Sequence, residues 1–222
     1  MGHGLTLAFS LGLAPFLVGG ASGCVSGNAI GDSRTPYGIE AEDGAFEGAA
    51  NEPPPDAFVV REPGLAVTAR LESARLEGPD TSLVHDGNAF RGRAKGDLVD
   101  LAVSENGTRI RGLARGGRVD LHVDDHDGRL DVRGIYAGVL TEFTLGPTSI
   151  RGTVGRCAYD AERRNGERWY GGGRICTSTD ANGAATLPRP VRNRAIRVAF
   201  PAGFFDRDAS QRVAFAVIVL GE

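Results

Sequence analysis

A chain of 222 residues with a net charge of −3 has the length of one domain plus additional segments. Because that charge is slightly negative, the composition gives no reason to expect nucleic-acid binding driven by bulk electrostatics. Glycine is abundant at 33 residues, and nearly all the positive charge is arginine, since Lys95 is the single lysine.

The first segment, residues 1–23, is apolar and contains no Asp, Glu, Lys or Arg. Its apolar run at residues 5–18 is shorter than the roughly 20 residues that span a bilayer as a helix, so the segment predicts a signal peptide. It ends in Ala21-Ser22-Gly23-Cys24, which resembles the lipobox of bacterial lipoproteins. The resemblance implies removal of residues 1–23, lipidation of Cys24 and, with Val25 following, an outer-membrane anchor. The alternative is an ordinary signal peptide that leaves Cys24 as an unpaired thiol.

Residues 24–56 follow, and they predict a flexible tether behind the lipidated cysteine. They are rich in Gly, Ala and acidic residues and close with three prolines at positions 53–55. Such a composition buries too little apolar surface to offset the entropy of ordering the chain, and consecutive prolines favour an extended spacer. A single all-β domain is therefore expected at residues 57–222.

The centre of that domain repeats an Arg-Gly step at Arg91, Arg111, Arg133 and Arg151, spaced by 20, 22 and 18 residues (111−91, 133−111, 151−133). Apolar and polar residues alternate between these steps, and turn pairs such as Asn106-Gly107 and Asp127-Gly128 recur about every ten residues. The pattern predicts an antiparallel meander of repeated β-hairpins, forming a barrel or two-sheet sandwich of roughly eight to twelve strands. The Arg-Gly step itself indicates a glycine bulge or close strand contact beside a solvated arginine, rather than an RNA-binding element.

The two ends of the domain also read as strands. Residues 57–61 and 65–76 begin the sheet, with a phase shift in the second run that indicates a bulge; a short helix at 67–77 is the alternative. Residues 195–200 and 213–220 are expected as the last strands, the second buried on both faces. One face of each central strand is charged and the other is apolar, which argues against a lipid-facing barrel.

Three cysteines are present, and Cys24 is assigned to lipidation. Cys157 and Cys176 remain as a pair and flank Asn165-Gly166, so a disulfide between neighbouring strands is expected. A two-residue turn there would pair positions summing to 331, whereas these two sum to 333 (157+176), so the cysteines are expected slightly out of direct register unless the loop is longer or bulged. Two buried free thiols are the alternative.

Candidate sites are few, and no catalytic residue, metal site or cofactor is predicted. His122 and His126 lie four apart on or near a strand, about 13 Å at 3.3 Å per residue, too far to share one metal ion. The chain has no Gly-x-Ser-x-Gly elbow and no phosphate-cradling loop. Tyr136, Trp169 and Tyr170 are the candidate binding surface, with a core role for Trp169 as the alternative.

These features favour an envelope-anchored lipoprotein that acts as a non-enzymatic binding or assembly module for a protein or glycan partner. A hydrolase acting on cell-wall or polysaccharide material through unplaced carboxylates is the second hypothesis. A purely structural envelope component is the third. The expected contacts are the membrane, through the lipid anchor, and no nucleic acid.

Overall fold

The computed structural model describes residues 52–104, 106–177 and 194–221. Cys24, the leader and most of the tether lie outside the described residues. Within these ranges fourteen strands precede one α-helix, α1 (Ala209–Leu220), and a short 3-10 turn (Phe204–Asp206) lies just before it. The strands are β1 (Ala57–Glu62), β2 (Leu65–Leu71), β3 (Arg75–Gly78), β4 (Thr81–Asp86), β5 (Ala89–Ala94), β6 (Asp97–Val103), β7 (Arg109–Ala114), β8 (Gly117–His126), β9 (Arg129–Tyr136), β10 (Val139–Leu145), β11 (Ser149–Val154), β12 (Cys157–Arg163), β13 (Trp169–Cys176) and β14 (Arg194–Ala199).

The strands form a closed barrel in which each pairs antiparallel with its neighbours in the chain. Closure comes from β1 and β14, where Val59 pairs with Ala199 and Val60 with Val198. The predicted meander is confirmed, and closure selects the barrel over the sandwich. The expected number of strands was too low, in part because residues 65–76 form two short strands, β2 and β3, rather than one bulged strand.

The prediction of a last strand at residues 213–220 is wrong, because these residues belong to α1. An apolar run bounded by turn residues has no periodicity that separates a strand buried on both faces from a helix buried on all sides. All eight residues from Val213 to Leu220 are buried. A helix that is apolar all round needs protein on every side, which a sheet face alone does not supply.

Helix α1 lies inside the barrel, because its contacts come from strands around the wall. Phe215 packs its ring against Phe58 of β1 and Phe90 of β5, at 6.3 and 5.2 Å between centroids. On another side Arg212 reaches Asp125 of β8, and the Tyr159 hydroxyl of β12 donates to the carbonyl of Leu220 at 2.5 Å. Twelve residues rise about 18 Å as a helix, close to the length of six strand residues, so α1 fills the lumen lengthwise.

The repeated Arg-Gly steps place a glycine where neighbouring strands approach closely. At Gly112 φ is +145°, and a Cβ there would lie 2.0 Å from the carbonyl oxygen of Asp100 on the neighbouring strand. The same geometry recurs at Gly92, Gly134 and Gly152. The preceding Arg111 points outward and pairs with Asp120 at 3.5 Å. This supports the strand-contact interpretation of the step.

The disulfide Cys157–Cys176 is confirmed, with its two Cα atoms 4.0 Å apart. The two cysteines are direct cross-strand partners, as the alternative of a longer loop allows, and not offset as a two-residue turn would require. The β12–β13 connection runs from residue 164 to 168 rather than being a two-residue turn, and it moves the pairing sum to 333 (163+170).

Alternation of strand direction sorts the turns into two groups. The turns at residues 63–64, 79–80, 95–96, 115–116, 137–138 and 155–156 lie at one end, which we call the basic end. The connections at 72–74, 87–88, 104–108, 127–128, 146–148 and 164–168 lie at the opposite end, where the chain also enters β1. Helix α1 starts at the opposite end and finishes at the basic end.

Candidate functional site: the mouth at the basic end

The aromatic residues expected to form a binding surface lie mostly inside the protein. Tyr136 and Tyr170 are each 1% exposed, and burial raises the pKa of both phenols. The Tyr170 hydroxyl donates to the carbonyl of Pro147 at 2.8 Å. Trp169 is half-buried on the outer face beneath the guanidinium of Arg61, 5.1 Å from the ring centroid. The structure therefore does not bring the three together as an exposed aromatic platform.

The acidic and histidine cluster around His122 lies on the outer wall, paired with arginines. Asp124 lies 3.3 Å from the imidazole of His122 and 3.5 Å from the guanidinium of Arg133. Asp131 faces Asp124 across β8 and β9. Burial opposes ionisation of Asp131, but the hydrogen bond from Thr144 and the charge of Arg129 outweigh it and lower its pKa.

The pKa of Asp120 is lowered as well, and by more than that of Asp131. Arg109 and Arg118 donate to its carboxylate at 2.8 and 2.7 Å, and these hydrogen bonds hold the pKa of Asp120 well below its usual range. A general acid needs a raised pKa, as in hydrolases that protonate a leaving group. The wall carboxylates whose pKa is shifted are therefore ionised at neutral pH and are not suited to act as general acids.

The C-terminal end of α1 accepts hydrogen bonds from two cations and one hydroxyl, that of Tyr159, of the barrel wall. Lys95 and Arg115 both donate to the carbonyl of Gly221, at 2.9 and 3.0 Å. Positive charge at this position suits the partial negative charge of a helix C-terminus. The backbone of Lys95 and of Arg115 is left-handed, each with φ +53°. Non-glycine residues adopt this conformation at a cost of about 1 kcal/mol or more, so Lys95 and Arg115 occupy these turn positions with some backbone strain.

A second polar cluster lies beside this helix end, inside the wall. The carboxylate of Glu62 is fully buried and paired with Arg174, and it lies 3.7 Å from the guanidinium of Arg194. Arg174 also donates to the Tyr159 hydroxyl at 3.5 Å. The basic end of the lumen is thus polar, whereas the middle around Phe215 is apolar.

Above these groups the barrel opens into a cavity of about 520 Å³, which we call the mouth cavity. Its lining comes from turns and strand ends on several sides of the barrel. The polar side chains that line it include Thr68, Thr81, Lys95, Arg115, Arg156 and Thr177. Leu65 and Val67 contribute apolar surface, and Asp80 is the one carboxylate in the described lining. Three cations with hydroxyls around one opening form an arrangement suited to an anionic group.

The sequence analysis did not predict this site because its cations lie on separate turns that are far apart in the sequence. Lys95 and Arg156 are separated by 61 positions (156−95), and only the barrel topology brings them to one opening. The one local signal is a cation before glycine at Lys95-Gly96 and Arg115-Gly116, where Asn or Asp is the favoured turn residue.

Across the described ranges, no group of three or more His, Cys, Asp or Glu side chains is placed to hold a metal ion. Within the same ranges no helix is long and apolar enough to cross a membrane. No protein-family model, curated protein or solved structure matches this chain.

Proposed function

We propose that the chain is an exported, lipid-anchored binding module whose mouth cavity receives an anionic group of its partner. The observation that carries the proposal is the convergence of Lys95, Arg115 and Arg156 on one opening of about 520 Å³. Export and anchoring rest on the leader and on Cys24, and the Cys157–Cys176 disulfide is consistent with an oxidising compartment.

A binding role accounts for the mouth better than a hydrolytic one does. A retaining or inverting glycosidase needs two carboxyl groups about 5–9.5 Å apart at its cleft, one of them with a raised pKa. The described lining of the mouth cavity contains one carboxylate, Asp80. The carboxyl groups of Asp120 and Asp131 are paired with arginines of the wall, and their pKa values are lowered, which is the opposite of what a general acid needs. A binding module needs only the cations and hydroxyls already present.

The test is an equilibrium titration of the full chain with a sulfated oligosaccharide, beside a neutral oligosaccharide of the same length. The sulfated probe should bind, its affinity should fall as salt rises, and Arg156→Gln should weaken binding about fivefold. Arg75→Gln removes an exposed arginine at the opposite end and serves as the matched control. Equal binding of the neutral probe, or equal losses in the two variants, would contradict the proposal.

A further inference from the structure

Exposed large apolar side chains concentrate at the basic end. Five are found in the described part of the chain, and four of these lie next to turns of the basic end: Leu65, Leu98, Leu113 and Leu140. They are 46%, 60%, 52% and 74% exposed. The fifth, Val84, lies nearer the opposite end. Single exposed leucines need no explanation, but four at one rim form a pattern.

The position of these leucines on the wall limits what can cover them. Leu98, Leu113 and Leu140 alternate with buried neighbours and so face outward from the barrel, while Leu65 lines the mouth cavity. Each outward leucine lies two residues from a turn, a depth of about 7 Å at 3.3 Å per residue. A soluble ligand seated in the cavity reaches Leu65 but not the other three.

Cations accompany the leucines on the same rim. Arg93 and Arg118 are exposed two residues from their turns, beside the three cations of the mouth cavity. Three carboxylates accompany these cations: Asp80 in the cavity lining, Asp97, which lies 3.7 Å from the guanidinium of Arg115, and Asp120, to which Arg118 donates at 2.7 Å. Proteins bind the surface of an anionic bilayer by combining two features. Lysine and arginine attract the anionic head groups, and aliphatic side chains enter the interface to a depth of about 5–10 Å.

We propose that the basic end docks on a membrane surface that contains anionic lipids. The mouth cavity takes a lipid phosphate, and the four rim leucines enter the boundary between head groups and acyl chains. The inference rests on the proposed function, because the lipid phosphate is then the anionic group of the partner. A bilayer is favoured over a glycan because a plane touches the cavity and the outward leucines together, and the described lining contains no aromatic ring on which a sugar would stack.

The test is vesicle flotation with residues 24–222, the expected mature chain, carrying Cys24→Ser, so that neither the apolar leader nor acylation plays a part. Vesicles of phosphatidylcholine with phosphatidylglycerol are compared with vesicles of phosphatidylcholine alone. The mixed vesicles should carry the protein and the neutral ones should not, and added salt should release it. The double variant Leu98→Ser/Leu140→Ser should lose about tenfold in affinity, and Arg156→Gln about fivefold.

Two control variants at or near the opposite end of the barrel accompany the test. Arg75→Gln repeats the change of Arg156→Gln at the opposite end, and Val84→Ser removes an exposed apolar side chain nearer that end; both should leave flotation unchanged. Because Leu98 and Leu140 are exposed, circular dichroism should show the double variant folded. Equal flotation with neutral vesicles, or equal losses in Val84→Ser and the double variant, overturns membrane docking. If the vesicles fail while the sulfated oligosaccharide binds, the proposed function stands with a soluble glycan or protein as partner.

Discussion

Replacing Gly112 with alanine tests whether the Arg-Gly steps are sites of close strand contact. The new Cβ would lie 2.0 Å from the carbonyl oxygen of Asp100 and 3.0 Å from the Cα of Leu101, both in the backbone of β6. Ordinary contact begins near 3.4 Å, so β7 would have to move away by 1.4 Å (3.4−2.0). We estimate about 2 kcal/mol for two weakened backbone hydrogen bonds and about 1–2 kcal/mol for alanine at φ +145°.

The expected loss is therefore about 3–4 kcal/mol, which in a domain of this size corresponds to a fall in Tm of about 6–16 °C. Gly116→Ala is the matched control, because Gly116 has φ +72° but no atom within 4 Å of the added Cβ. It should cost about 1–2 kcal/mol, for the backbone alone. The assay is urea unfolding followed by circular dichroism. Equal losses in the two variants would refute the close-contact explanation.

Three further predictions concern the core, the disulfide and the wall. Phe215→Ala removes a side chain buried between Phe58 and Phe90 and should lower the free energy of unfolding by about 3–5 kcal/mol in urea titrations; a loss under about 1 kcal/mol would argue against a helix inside the barrel. Cys157→Ala/Cys176→Ala opens a loop with sequence separation 19 and should cost about 3 kcal/mol, and a reducing agent should destabilise the parent protein but not the variant. Because hydrogen bonds from Arg109 and Arg118 hold the folded-state pKa of Asp120 below its unfolded value, its contribution to stability is present above about pH 4 and is lost as pH falls. The stability difference between Asp120→Asn and the parent should thus shrink in acid, and a difference independent of pH would contradict the ion pairs.

The strands of the wall could be predicted from sequence because their evidence is local. Val119, Leu121 and Val123 alternate with polar residues and are all buried, as the period of a strand requires. A turn such as Asp127-Gly128 needs positive φ at both residues, and these have φ +55° and +87°. Each strand is paired with its neighbour in the chain, so local evidence was enough to order most of the sheet.

Helix α1 could not be predicted because its surroundings come from the whole barrel. Val213, Val217, Ile218 and Val219 are β-branched and favour a strand, yet the lumen gives them apolar contact on every side. Asp208 before the run is a typical N-cap residue, and with it the run extends to the twelve residues of Ala209–Leu220. The length and the cap were the available signals.

The mouth cavity escaped prediction for a related reason. Its cations stand on separate turns, and closure of the barrel brings them to one opening. The aromatic residues that looked exposed in sequence were buried instead, since Tyr136 and Tyr170 fall on inward positions of their strands. Whether an inward-facing side chain is buried depends on the radius of the barrel and on what fills its lumen. The sequence of a single strand gives neither.

The single lysine of this chain permits a direct test of the mouth. Lys95 lines the cavity and is half-buried, so its reaction with an amine acylating reagent, followed by mass spectrometry, reports on one position at the basic end. We predict that vesicles containing phosphatidylglycerol, and the sulfated oligosaccharide, slow acylation of Lys95, and that neutral vesicles do not. Binding of either anionic probe with an unchanged rate at Lys95 would place the anion elsewhere and contradict the account.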